Sequence, residues 1–166
     1  MRCHRLERRT WLPVGPAEAF GFFCDPGNLQ RITPPELDFS MAGAPDGPMR
    51  EGVEIEYRLR LWGIPLRWRS RIVDWRPDRE FVDVAIVSPY RHWHHRHVLM
   101  PEDGGTTMLD RVDYALPLQP FGEIAHPIVR RQLARIFDYR EATIQQIFAR
   151  PGRAGGDGPG RSRRAA

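Results

Sequence analysis

The hexapeptide HWHHRH, residues 92–97, holds His92, His94, His95 and His97, four of the six histidines in the chain. Imidazole can ligate a metal, transfer a proton near neutral pH or hold the polar end of a ligand. In an extended segment residues i and i+2 share a face. Trp93, His95, His97 and Leu99 then fall on one face, and His92, His94, Arg96 and Val98 on the other. Trp93 and Leu99 are the larger apolar pair and Arg96 favours solvent, so the first face is expected inward. The four histidines thus split into a surface pair, His92 and His94, and an inward pair, His95 and His97.

Three chemistries suit an inward His-x-His pair. As a metal site, His95 and His97 sit about 7 Å apart at Cα and can reach one ion. Zinc then takes a third protein ligand, such as Asp110 or Asp83, with water in the fourth position. As an acid–base site, an imidazole beside a carboxylate in a dry pocket can move a proton, which makes His95, His97 and Asp110 the catalytic candidates. As a binding site, the same groups orient the polar end of an otherwise apolar molecule. There is no nucleophile motif, no Gly-rich phosphate loop and no cofactor fingerprint, so no cofactor is expected.

The elements that position these residues are legible in the pattern. RCHRLERRTWLP reads as a first strand over residues 3–12. GPAEAFGFFCD and DPGNLQRITPP read as two short helices, with Pro16 and Pro26 near their starts and Pro34–Pro35 stopping the second. Six strands follow. In VEIEYRLRL, Val53, Ile55, Tyr57, Leu59 and Leu61 alternate inward. WGIP is expected to turn the chain, with Gly63 and Pro65 as breakers. Leu66, Trp68, Ser70 and Ile72 alternate inward against an outer stripe of Arg67, Arg69 and Arg71. In EFVDVAIVS, alternation alone buries Val82, Val84 and Ile86. Phe81 and Asp83 are nevertheless assigned to the inner wall, because the adjacent wall is already polar. EDGG forms a hairpin turn. In the last strand Met108, Asp110, Val112 and Tyr114 share the inward face.

Residues 120–149 carry Val129, Leu133, Ile136, Phe137, Ile144, Ile147 and Phe148 at helical spacing. With Pro127 starting or breaking it, the main helix runs about 22 residues, roughly 33 Å. Asp138 and Arg140 near its end are read as helix–sheet hydrogen-bonding groups of structural use. An antiparallel meander needs its apolar face covered, and one long helix lying in its curve does that. The fold class is therefore α+β: a strongly curved antiparallel sheet of about seven strands, two short helices after the first strand, and a long C-terminal helix across the sheet.

Composition narrows the setting. The net charge is +4, and the tail over residues 150–166 carries five Arg and one Asp, a net of +4, so residues 1–149 are close to neutral. Such a domain has no charge excess for a phosphate backbone, and nucleic acid is not an expected partner. The Arg/Gly/Pro-rich tail is expected to be disordered, beside one folded domain over residues 1–149. No apolar run approaches the roughly 20 residues of a membrane span, so membrane insertion is not expected. Two cysteines and no apolar leader segment suggest a cytoplasmic protein with free thiols.

The element order resembles that of the START-like (SRPBCC) superfamily, and more closely its bacterial ligand-binding members. The matching segments are WLPVGPAEAFGFFCDPGNLQRITPP, YRLRLWGIPLRWRSRIVDWRP, FVDVAIVSPYRHWHHRH, MLDRVDYALP and RIFDYR, over roughly residues 3–149. The W-x-H-x-H pattern of Trp93, His95 and His97 belongs to this likeness. The superfamily includes lipid carriers, coenzyme Q-binding proteins, polyketide aromatase/cyclases and plant hormone-binding proteins. The resemblance implies a helix-grip fold with a cavity for a hydrophobic small molecule such as a lipid, isoprenoid or polyketide. It also brings a runner-up, a cyclase or dehydratase using a His–Asp pair. The residues expected to line the cavity are Tyr57, Leu59, Trp68, Asp83, Trp93, His95, His97, Leu99, Asp110, Tyr114, Leu133 and Phe137.

Overall fold

A computed structural model describes residues 1–43 and 47–149. The C-terminal tail over residues 150–166, read from sequence as disordered, lies outside the described residues. Strand β1 (His4–Leu12) is followed by helices α1 (Pro16–Phe23) and α2 (Pro26–Arg31), with proline in the first turn of each. A fixed φ and a missing N–H cost nothing at that position. Asp25 caps α2 by accepting from Gly27 N–H. Strands β2 (Ser40–Met41), β3 (Glu54–Leu61), β4 (Ile64–Arg76), β5 (Glu80–Val87), β6 (His92–Glu102) and β7 (Gly105–Ala115) come next, and helix α3 (His126–Phe148) closes the fold.

The seven strands form one antiparallel sheet in the order β1-β7-β6-β5-β4-β3-β2. Every pair but β1–β7 is a sequential neighbour, as a meander requires. Two features bend it. Register shifts in the β4–β5 ladder fall at Arg69/Ser70 and at Val73/Trp75, where Asp74 has a positive φ. Such bulges increase local twist and curl a sheet. The β5–β6 ladder pairs only Glu80–Val84 with His94–Val98, so the end of β5 parts from its neighbour.

The β3–β4 connection corrects the sequence reading. The turn is Trp62–Gly63 alone, both with positive φ, as a tight two-residue hairpin needs. Pro65 is not a breaker but lies within β4, opposite Arg60. Leu61 and Ile64 close the hairpin, so the next pair is a non-hydrogen-bonded one and the Pro65 nitrogen faces away from β3. β5 pairs with β4 only from Arg69 onward, so no ladder bond is lost there.

Helix α3 spans 23 residues, about 34 Å at 1.5 Å per residue, and crosses the concave face. It starts at His126 with Pro127 in its first turn, after a short 3-10 segment, Phe121–Ala125. Leu133, Phe137 and Ile144 are its buried stripe. The core divides in two. One cluster gathers Phe20, Ile72, Phe81, Leu99, Met108 and Ile144, and the other Leu6, Trp68, Trp93, Val112, Tyr114 and Leu133. No helix among the described residues is long and apolar enough to cross a membrane.

Candidate functional site

Three neighbouring strands bring the polar residues together. Across β5 and β6, Asp83 is opposite His95 and Phe81 is opposite His97. Across β6 and β7, His97 is opposite Asp110 and His95 is opposite Val112. All six point to the concave side, because the burial of β6 alternates with Trp93, His95, His97 and Leu99 inward. His92 and His94 lie on the outer face, their rings stacked on each other 6.5 Å apart. The register thus sets one carboxylate on each flank of the inward His pair.

The distances define a network. His95 Nε2 is 2.9 Å from Asp110 Oδ1. His97 Nδ1 lies 2.8 Å from that same oxygen but off its N–H direction, so the contact is an ion pair without a hydrogen bond. His97 Nε2 is 3.2 Å from Asp83 Oδ2, and His95 Nδ1 is 3.5 Å from it. The other oxygen of Asp83 accepts from the Ser70 hydroxyl at 3.3 Å, and the Trp68 indole N–H donates to Ser70 at 3.0 Å. Behind Asp110, Arg140 Nε stands 3.9 Å from Oδ2. The Arg140 guanidinium also lies over the rings of Phe23 and Phe137, at 5.7 and 5.9 Å.

Burial and mutual charge set the protonation states. Burial pushes the His95 imidazole down to about 4; neighbouring His97 adds to this, and Asp110 and Asp83 only partly offset it. Burial also acts to lower His97, but Asp110 and Asp83 outweigh it and hold it above its ordinary value. For Asp110, burial opposes the charged form, yet Arg140 and both imidazoles hold it well below the usual carboxylate range. Asp83 is held low in the same way, by His97 and His95 against burial. Opposite charges thus face one another across the network, which is how ionised groups persist in a dry interior. Tyr57, also near Asp83, has its phenol pushed up by burial and by that negative charge.

Between the sheet and α3 lies a cavity of about 200 Å³, many times the ~10–15 Å³ that one buried water needs. Of the residues expected from the sequence to line it, Tyr57, Leu59, Trp68, Asp83, Trp93 and His95 border it. So do His97, Leu133 and Phe137. Leu99, Asp110 and Tyr114 do not. Leu99 faces inward but packs into the core cluster of Phe81 and Met108. Asp110 sits behind the two imidazoles, which screen it from the space. Tyr114 points to the far end of the sheet, its hydroxyl 3.3 Å from His126 Nε2.

Ser70 and Arg140 are among the bordering residues that the sequence reading did not assign to the cavity. Ser70 lies on the inward face as expected, and its hydroxyl links Trp68 to Asp83. Arg140 makes the expected helix–sheet contact, facing Asp110 on β7, and also borders the cavity. Its signal was present, since Arg140 lies three residues after Phe137 and four before Ile144, on the buried stripe. Asp138 does bond the sheet, accepting from Arg8 at 3.1 Å, in an exposed position.

Comparison with solved structures decides the fold. A START superfamily protein from Mycobacterium smegmatis superposes with a TM-score of 0.65 at 10% identity, covering 87% of this chain and 99% of its own. The chain has the START-like, or SRPBCC, helix-grip fold. Ara h 8.0201 matches at a TM-score of 0.60 and 17% identity, covering 87% of this chain and 99% of its own. The di-domain ARO/CYC StfQ of the steffimycin biosynthetic pathway matches at 0.70 and 11% identity, over 88% of this chain and 50% of its own. No protein-family model and no curated protein matches the sequence. The START-like fold places a long helix against a curved sheet in each of these chains; what fills the space is decided by the side chains of each.

Proposed function

We propose that residues 1–149 form one ligand-binding domain that takes up a hydrophobic small molecule, such as a lipid, isoprenoid or polyketide, between the sheet and α3. The observation that carries this reading is the make-up of the wall. It is aromatic and aliphatic on most sides, with Asp83, His95, His97 and Tyr57 convergent at one place. A few fixed polar groups in an apolar pocket orient one end of a ligand while burial supplies affinity. Transport or sequestration follows, in the cytoplasm, where the two free thiols, Cys3 and Cys24, are at home. The solved START superfamily protein and StfQ share the fold and support a cavity use of it.

Native mass spectrometry of gently purified protein tests the reading. The expected spectrum contains a protein species heavier by a small apolar molecule, released by organic solvent. Protein of bare mass that also leaves an added hydrophobic fluorophore dark would sink it.

A second reading rests on one observation, a neutral His95 hydrogen-bonded to the Asp110 carboxylate beside the cavity. Such a pair can accept and return a proton, as a cyclase or dehydratase acting on a polyketide requires. Loss of turnover in both His95→Ala and His97→Ala, with ligand uptake kept, would favour it. Uptake without turnover in the unaltered protein would leave binding alone.

A further inference from the structure

The two inward imidazoles and the two carboxylates are not arranged as simple pairs. Asp110 meets each ring on one side, at His95 Nε2 and beside His97 Nδ1. The opposite ring nitrogens, His95 Nδ1 and His97 Nε2, both turn toward a single atom, Asp83 Oδ2, at 3.5 and 3.2 Å. All three of these donor atoms lie within 4.8 Å of one another. Two bonds of about 2.0–2.1 Å meeting at a tetrahedral angle set their donor atoms about 3.3 Å apart. Both separations to Asp83 Oδ2 lie close to that spacing.

The second layer has the form that such a site needs. A metal-bound imidazole usually donates its other N–H to a carboxylate, which fixes the tautomer and ring direction. Here Asp110 is hydrogen-bonded to His95 Nε2 and stands 2.8 Å from His97 Nδ1, and Arg140 backs it. If His95 donates from Nε2 to Asp110, its Nδ1 carries a bare lone pair facing an anionic oxygen. A cation between these two atoms would satisfy both. Asp83 is steadied through its other oxygen, which accepts from Ser70. All three ligand residues border the cavity, whereas Asp110 does not, so a fourth coordination position would open toward the cavity.

We propose that Asp83, His95 and His97 form a binding site for one divalent transition-metal ion, with zinc the best fit, whose open position faces the cavity. Two imidazoles and a carboxylate suit zinc over magnesium or calcium, which want all-oxygen shells. The open position takes water or an oxygen atom of a bound molecule. The inference stands on side-chain geometry and is separable from the reading of the cavity, because metal-free protein retains its apolar walls.

The test uses the full chain without a histidine tag, stripped with a chelator and re-equilibrated with zinc chloride. One zinc per chain is expected by elemental analysis after gel filtration, with a dissociation constant in the micromolar range or tighter. Cobalt(II) in place of zinc should give the visible absorption of a four-coordinate ion. His95→Gln, His97→Gln and Asp83→Asn should each weaken binding at least 100-fold, and Asp110→Asn by about 10–100-fold. A His92→Ala/His94→Ala variant should bind as the parent does. Less than a tenth of an equivalent of zinc in the unaltered protein overturns the proposal. So does stoichiometric zinc that survives all three ligand substitutions, or that leaves with His92 and His94. The cobalt spectrum of the unaltered protein decides if a variant does not fold. Uptake of a hydrophobic fluorophore by the metal-free chain reports separately on the cavity.

Discussion

His97 and Asp110 face each other directly across β6 and β7, and a single oxygen of Asp110 serves both inward imidazoles. Removing that carboxylate leaves the largely buried Arg140 guanidinium without the counter-charge it faces and His95 Nε2 without its partner. Asp110→Ala is therefore expected to destabilise the fold by about 3–5 kcal/mol, the usual cost of breaking a buried ion pair from one side. Asp110→Asn keeps the shape and one acceptor, and should cost less. Urea unfolding followed by far-UV circular dichroism measures both. A loss below about 1 kcal/mol for the alanine variant would mean that the network does not hold the core.

Much of this was written in alternation and in proline placement. Trp93, His95, His97 and Leu99 were legible as one inward face because a strand repeats every two residues. The long helix was legible from Leu133, Phe137 and Ile144. Register was not. Nothing in a single strand says that Asp83 lies opposite His95 while Asp110 lies opposite His97, and those pairings decide which carboxylate faces the cavity. Leu99, Asp110 and Tyr114 were placed on the right face yet do not border the space, since a face says in or out but not where along the strand the cavity ends. Pro65 misled because a proline stops a strand only where its missing N–H was needed. Arg140 was legible as a helix–sheet group but not as cavity wall, because its partner Asp110 on β7 could not be named without the register.

Backbone proximity gives a second stability test. A Cβ built on Gly105 would meet the Leu12 carbonyl oxygen at 2.1 Å and the Trp11 ring at about 3.0 Å. Gly105 opens β7, where β1 runs alongside, so neither backbone can yield without breaking the ladder. Gly105→Ala should cost on the order of 3 kcal/mol. Gly21, inside α1, has nothing within 4 Å of a built Cβ. Gly21→Ala should stabilise by about 0.5–1 kcal/mol through helix propensity. The opposite signs, read as shifts in melting temperature, check the strand contact against the general effect of alanine.

Filling the cavity should separate binding from folding. Leu59 is half-buried on β3 and borders the space. Leu59→Trp puts added ring volume into it, at a stability cost of about 1–3 kcal/mol if neighbours must shift. Affinity for a hydrophobic fluorophore is expected to fall at least tenfold, measured by titration on folded protein. Unchanged affinity would place the bound probe elsewhere on the surface.

The two thiols should respond differently to alkylation. Cys3 is exposed, whereas Cys24 is half-buried beside the cavity. Burial pushes the Cys24 thiol up to about 12, and the negative charge of Asp78 adds to the shift. The thiolate is the reactive form, so at pH 8 only about one Cys24 in 10⁴ is reactive at any moment. Iodoacetamide at pH 8 should label one site quickly, identified by peptide mapping as Cys3. The Cys24 rate should then rise about tenfold per pH unit from pH 8 to 10 without levelling off, because each unit raises the thiolate fraction tenfold below the pKa. A Cys24 rate that plateaus below pH 9 would show a thiol in contact with water, and would open the wall that α1 forms against the cavity.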